Sequence, residues 1–287
     1  METFGVFPRA SHDSWQYHFY SPEMSRFFSV RFWSSSSVNK AWSWTARVPE
    51  GQDCSPKVHL LSNLTDCCFR SVDAIQTSAT DPSQPGTVFT FKSLPTETNE
   101  GELSVSSDGQ ALLHIQFKPR NKYFWEVPGQ NDGVFHFPNI SADVTYKGVT
   151  AHAFGYCKRY WGDYDGPWGY QFIHGVASDE KSCGWTADAT FGDDEYNYFK
   201  LVGEDGVLIQ SEQTDTYHNN QRAFWRPISG PKRELELSEC AKMEFFLRSE
   251  AQNSKLVERF GKVRLLEDGQ EVWAGFGFNE VCFGTVG

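Results

Sequence analysis

The sequence predicts a nearly all-β protein in two halves. Three observations carry this: period-two alternation of apolar and aromatic residues, dense turn punctuation, and very little helical spacing. Phe28/Val30/Phe32, Trp42/Trp44/Ala46/Val48, Leu113/Ile115/Phe117, Trp168/Tyr170/Phe172/His174 and Val272/Ala274/Phe276/Phe278 each place rings or aliphatic chains on one face of a strand. Pro49-Glu50-Gly51, Pro85-Gly86, Asp108-Gly109, Asp132-Gly133, Glu204-Asp205-Gly206 and Asp268-Gly269 separate the runs as turns. Helical spacing arises only over 240–246 and 249–260, and the second span fits a strand over 256–265 equally well. The punctuation predicts roughly 14 to 18 strands, too many for one small barrel of about eight.

The seam between the halves is expected at Pro128–Pro138. There the aromatic run Tyr123-Phe124-Trp125 gives way to Pro, Gly, Asn and Asp before a new series opens at Ile140. This divides the chain into a first β domain over 1–137 and a second over 138–287. The Ser-, Thr-, Asp- and Pro-rich stretch 71–85 is expected as an exposed loop, and 219–232 as a similar one.

Composition narrows the partners. Ten Trp, 11 Tyr and 24 Phe against 3 Met make the apolar surfaces flat and rigid, suited to pocket walls. A net charge of −11 with no Lys/Arg run longer than two argues against a nucleic-acid partner. No stretch approaches the roughly 20 apolar residues of a membrane span, and the first ten residues lack a basic segment followed by an apolar run. The expectation is a cytoplasmic protein. The seven cysteines are odd in number, and their one adjacent pair, Cys67-Cys68, has no metal or redox spacing, so they read as reduced small hydrophobes. Asn63-Leu64-Thr65 and Asn139-Ile140-Ser141 read as chance sequons.

The most distinctive segment runs from His152 to Asp163 and contains Phe154, Gly155, Tyr156, Lys158, Trp161 and Gly162. Trp168-Gly169-Tyr170 follows it. On a strand, His152, Phe154, Tyr156 and Lys158 share one face, an odd composition for a core and a suitable one for a cavity wall. With Trp15-Gln16-Tyr17, Tyr123-Phe124-Trp125-x-x-Pro128 and the closing Gly275-Phe276-Gly277-Phe278-Asn279-Glu280, this segment resembles the two-domain calycin-like superfamily. That superfamily includes carotenoid hydratase-like proteins and fungal lipocalin-type Diels–Alderases. The resemblance implies a lipocalin-like β-barrel in the second half and an aromatic pocket within or between the halves. It also marks a departure. Hydratase-like members carry an Asp two residues after the motif aromatic, where this chain has Lys158, and an ammonium is a poor proton donor to an alkene. A pericyclic step needs no strong acid: it is accelerated by holding a polyene folded and by hydrogen bonds that polarise its electron-poor part.

Other chemistries lack their signatures. The eight histidines form no His-x-His or Glu-x-x-His pairing, and nucleophile-elbow, phosphate-loop and dinucleotide spacings are missing. Acids at Asp163/Asp165 and Asp193/Asp194/Glu195 have the composition of solvated loops. The sequence thus points to a cofactor-independent cyclase or isomerase acting on a hydrophobic polyene, terpenoid or polyketide intermediate. A hydratase or lyase of a hydrophobic alkene and a non-catalytic carrier remain alternatives. Candidate catalytic residues are Tyr156, Lys158, Glu280 and Asp163. His152, Phe154, Trp161, Trp168, Tyr170, Trp44 and Trp125 are candidate substrate contacts. Glu280, between Phe278 and Cys282 on its strand face, is expected as a buried carboxylate, and Lys158 as solvated or paired with Asp163 or Asp165.

Overall fold

A computed structural model describes residues 12–35, 39–48, 58–64, 68–73, 76–81, 84–93, 100–120, 124–126, 133–162, 167–177, 179–191, 194–211, 214–218, 222–227, 232–246 and 255–285. The chain forms two compact units, Met1–Arg47 with His59–Asp163 and Val48–Val58 with Tyr164–Gly287. Among the described residues all regular structure is strand, and every described strand register is antiparallel.

The first sheet holds β1 (His12–Ser21), β2 (Arg26–Ser35), β3 (Asn39–Arg47), β4 (Val58–Leu64), β5 (Cys68–Asp73), β6 (Gln76–Asp81), β7 (Gln84–Ser93), β8 (Gly101–Ser107), β9 (Gln110–Pro119), β10 (Phe124–Glu126), β11 (Gly133–Tyr146) and β12 (Val149–Gly162). Its order is β4-β3-β2-β1-β12-β11-β9-β8-β7-β6-β5, with β10 on β11. The second sheet holds β13 (Pro167–Ala177), β14 (Cys183–Phe191), β15 (Asp194–Gly203), β16 (Gly206–Ser211), β17 (Thr214–His218), β18 (Arg222–Pro227), β19 (Arg233–Phe246), β20 (Lys255–Glu267) and β21 (Gln270–Thr285). Its order is β16-β15-β14-β13-β21-β20-β19-β18-β17.

The division corrects the expected seam. β11 runs through Pro138, and both β11 and β12 belong to the first sheet. Pro138 sits where the β11–β12 register shifts between Phe137 and Ile140. It therefore marks a bulge inside a strand, not a linker. The stretches expected as loops also carry strands, β6 within 71–85 and β18 within 219–232. Their Thr- and Ser-rich or mixed sequences pair through the neighbouring strands' register, which composition does not reveal. The span 240–246 lies in β19, where Cys240 occupies a register shift between Glu239 and Ala241 that imitates helical spacing. Among the described residues the strands therefore number 21, above the expected range.

Hairpin chemistry follows the expected turn residues. Asp108-Gly109 and Asp268-Gly269 have positive φ at both positions, as does Lys147-Gly148, and each forms the two-residue loop that matches strand twist.

The first sheet curls on itself. Tyr17 of β1 and Phe117 of β9 are three strands apart, about 14 Å in a flat sheet, yet their rings lie 5.4 Å apart. Phe28 and Tyr146, also three strands apart, are separated by 5.5 Å. The concave face carries one core of Trp15, Tyr17, Phe19, Phe28, Val30 and Phe32 against Leu103, Ile115, Phe117 and Val144. In the second sheet Phe199 and Leu201 of β15 share a core with Leu235 and Leu237 of β19, five strands away, so this sheet also closes round its core.

A close approach holds β12 against β1. A Cβ added to Gly155 would lie 1.9 Å from the His18 carbonyl oxygen, so the strands reach this separation only with glycine there. At the sheet surface, Glu244 clamps β19 to β20 by ion pairs to Lys242 at 2.8 Å and Lys255 at 2.5 Å.

Two outcomes follow. Gly155→Ala should destabilise the fold by about 1–3 kcal/mol in urea unfolding, as overpacking against backbone does; an unchanged midpoint would contradict the close approach. Hydrogen bonds from Lys242 and then Lys255 lower the Glu244 pKa from 4.5 to about 2. Its folded value lies below the unfolded one, so the clamp stabilises above pH 4.5 and is lost as pH falls toward about 2. Glu244→Gln should cost less than about 1 kcal/mol near neutrality because the clamp is exposed. That deficit should vanish in acid; one independent of pH would refute the clamp.

Candidate functional site

The central strands of the first sheet are buried on both faces. One face is the core; the opposite face mixes rings with polar groups, and its residues are equally buried. Register aligns them in rows. His136, Lys158, Gln16, Arg31 and Trp42 lie side by side across β11, β12, β1, β2 and β3. The next row is Tyr156, His18, Ser29 and Trp44, and the third is Phe154, Tyr20, Phe27 and Ala46. All are buried: Gln16 and Tyr156 are 0% exposed, His136 1%, Arg31 and His18 3%, and Lys158 7%.

Alternation explains how the sequence builds this face. In β1 the odd residues Trp15, Tyr17 and Phe19 enter the core, so Ser14, Gln16, His18 and Tyr20 must point the other way. In β2 the same logic turns Phe27, Ser29, Arg31 and Trp33 away from Phe28, Val30 and Phe32. Gly155 and the Phe137–Ile140 bulge set β12 and β11 so that His136 Nδ1 reaches the Tyr156 hydroxyl at 2.6 Å. Arg31 Nε donates to Ser14 Oγ at 3.0 Å, and its guanidinium lies 5.2 Å from the Trp42 ring centroid. His18 stacks on Tyr156, Phe27 packs at 4.9 Å on Trp44, and Tyr20 meets Phe154 edge-on.

Chemically this is a donor-rich, aromatic-walled surface. With Nδ1 protonated, His136 donates to the Tyr156 oxygen and leaves the phenol proton for another acceptor; in the other tautomer Tyr156 donates to His136. Lys158 and Arg31 flank Gln16 with positive charge. Among the described residues these buried rows contain no carboxylate. Nor do three His, Cys, Asp or Glu side chains cluster as metal ligands among the described residues.

A second polar cluster lies in the other unit. Tyr170 donates to Glu280 Oε1, and Glu280 is fully buried. On the opposite face of the same strands Arg259 Nη1 donates to Asn279 Oδ1 at 3.0 Å, and Asn279 Nδ2 donates to the Phe172 carbonyl at 2.9 Å. Arg259 also pairs with Glu239 at 3.1 Å; burial raises the Glu239 pKa, and the Arg259 and Lys242 charges oppose it.

The residues singled out from the sequence therefore separate. Tyr156, Lys158, Phe154 and Trp44 come together on the first unit's polar face; Tyr170 and Glu280 meet in the second. Lys158 is buried, which corrects the solvated half of its expectation, and the alternative pairing with Asp163 or Asp165 falls on residues outside those described. His152 shares the face of Tyr156 but stands at its exposed end, 3.9 Å from Asp143. Trp161, Trp168 and Trp125 occupy strand positions in β12, β13 and β10, with side chains outside the described residues, and Asp163 lies outside them altogether. Asn139 is fully buried, so its sequon is no glycan acceptor in the folded chain. Cys183 is a buried free thiol, and burial pushes its pKa up.

Gln16, His18, Arg31 and His136 were not anticipated. The available signal was polar residues in the alternate positions of strands whose other face is fully aromatic, as in Trp15-Gln16-Tyr17-His18-Phe19. A strand that carried such polar groups to solvent would need no second set of rings beside them.

No family model and no curated protein matches the sequence significantly. Solved structures do match. Kievitone hydratase from Nectria haematococca aligns with a TM-score of 0.63 at 12% identity over 99% of this chain and 96% of that one. CghA aligns with a TM-score of 0.60 at 11% identity over 100% and 96%. A protein described as ATTH from Nitrosomonas europaea gives 0.60 at 14% over 97% and 94%. The likeness spans both units, and by fold the chain is a two-part calycin-like β protein.

Proposed function

We propose that this protein is an enzyme that folds and cyclises a hydrophobic polyene carrying a polar carbonyl end, a cofactor-independent cyclase of natural-product type. The observation carrying this reading is the buried second face of the first sheet, where the Tyr156–His136 pair and the Lys158–Gln16–Arg31 row sit among Trp42, Trp44, Phe27 and Phe154. Rings of this kind hold an extended apolar chain in a folded shape, which supplies the proximity term of catalysis. Hydrogen-bond donors fixed in a low-dielectric setting polarise a carbonyl conjugated to the reacting alkene and lower the barrier to addition. In this reading Tyr156 is the hydrogen-bond donor to the substrate, His136 its positioning partner, and Lys158 and Arg31 the charges that stabilise negative charge on the carbonyl oxygen.

A hydratase is the second reading, favoured by the buried Tyr170–Glu280 pair, whose carboxyl is a stronger acid than the Lys158 ammonium. Kievitone hydratase, whose fold this chain shares, bears that activity in its name. The two readings part at the source of oxygen. In heavy-oxygen water a cyclase gives product without solvent label, and incorporation of label would overturn the cyclase in favour of hydration.

Variants supply a graded test. Losing one hydrogen bond costs about 0.5–3 kcal/mol depending on charge, so Tyr156→Phe and Lys158→Met should each slow cyclisation by about 2- to 150-fold. Parent-like rates in both folded variants would remove this face from the chemistry. Conjugated polyenes should also quench tryptophan emission saturably, and less so in Trp44→Phe. If Trp44→Phe matches the parent, that ring belongs to the core.

A further inference from the structure

The core side of the second sheet changes chemistry along its length. Alternation sets Gln171 and Ile173 of β13 on this side, with Asn279 and Val281 of β21 and Arg259 and Val257 of β20 beside them in register. From Ile173 toward Trp273 the side is apolar, filled by Val263, Leu265, Leu235 and Phe199. Trp273 covers that end. Its indole Nε1 donates to Ser182 Oγ at 2.7 Å, and a Cβ added to Gly175 would lie 2.8 Å from its ring. In the other direction the side turns polar within one row. Asn279 accepts from Arg259 Nη1 at 3.0 Å and donates to the Phe172 carbonyl, and Arg259 pairs with Glu239 at 3.1 Å. The next row is Gln171, Val281 and Val257. At this level the same side of β19 and β20 reaches solvent: Lys242 stands beside Arg259, Glu244 beside Val257, and Lys242 and Lys255 are each 42% exposed.

Gln171 stands apart from this network. It is 8% exposed, and its Nε2, which carries two N–H donors, has no hydrogen-bond partner in the protein. A buried amide nitrogen is ordinarily paired. Arg259 and Glu239 compensate each other's charge, so the group that complements Gln171 is an acceptor and not a counter-ion. We propose that the core side of the second unit holds a binding site for a neutral carboxamide or lactam. The ligand's carbonyl oxygen accepts from Gln171 Nε2, and its carbon chain lies against Val257 and Val281. An amide meets an amide with both a donor and an acceptor, which a ketone or ester cannot do. A carboxylate would bring a charge to a row whose buried cation is already paired. The proposal concerns residues of the second unit alone and does not depend on the reaction proposed for the first.

The test uses the whole chain with nitrogen-15 labelled glutamine side chains, each amide assigned through its own backbone. Hexanamide and, separately, hexanoate are titrated in, and NMR follows the Gln171 amide. Hexanamide should shift that signal saturably and give nuclear Overhauser contacts from its chain to the Val257 and Val281 methyls, while hexanoate at the same concentrations leaves the signal in place. Gln171→Met keeps the length of the side chain and removes its donor. Followed at the Val281 methyls, this variant should bind hexanamide more weakly by roughly 2- to 13-fold, the worth of one neutral hydrogen bond. The proposal is overturned if hexanamide does not move the Gln171 amide, if that amide contacts only a bound water, if hexanoate moves it as readily, or if folded Gln171→Met binds as the parent does. Should Gln171→Met fail to fold, the parent's responses to the two probes decide alone.

Discussion

Burying both faces of β1, β2, β3 and β12 is the constraint on which the rest of the first unit depends. A strand has two faces, and in most antiparallel sheets one faces water and takes the polar residues. Here neither does, and polar groups on the second face pair within it: Arg31 on Ser14, His136 on Tyr156, the guanidinium over Trp42. Groups held this way are costly to bury and keep their positions once paired. A second apolar face would cost less to bury, which is why this one reads as a surface for a ligand.

The geometry that makes the face is local and unforgiving. Gly155 brings β12 within touching distance of the His18 backbone, and the bulge at Pro138 resets β11 so that His136 lies in the row of Lys158. These two irregularities sit on either side of Tyr156, so the phenol's position depends on backbone features more than on its own rotamer. The second unit likewise buries polar groups. Glu258 and Glu280, both fully buried, stand opposite one another in register, and Tyr170 donates to Glu280.

Much of this was legible in the residues themselves. Phe28/Val30/Phe32 and Leu113/Ile115/Phe117 lie on the core face of their strands, Asp108-Gly109 and Asp268-Gly269 turn as their chemistry requires, and Glu280 is a buried carboxylate. What escaped has physical causes. The pairing of β1 with β12 joins segments more than a hundred residues apart, and no local pattern announces it, so the seam was placed at a proline that only bulges a strand. Gln16, His18 and Arg31 escaped because period-two reading sends the polar alternates to solvent, which fails wherever a strand is covered twice. Glu258 escaped because an acid in Val257-Glu258-Arg259 looks like an exposed charge until its partner strand is known. The fold likeness at 11–14% identity carries the architecture alone; the chemistry has to come from these side chains.

The central claim is that the polar face of the first unit receives a ligand and is not a second core. Labelled-imidazole NMR during addition of a conjugated polyene with a terminal carbonyl tests it most directly. His136 and His18 should shift saturably together while the exposed His152 stays still. No movement at His136 and His18, or movement confined to His152, would contradict the account.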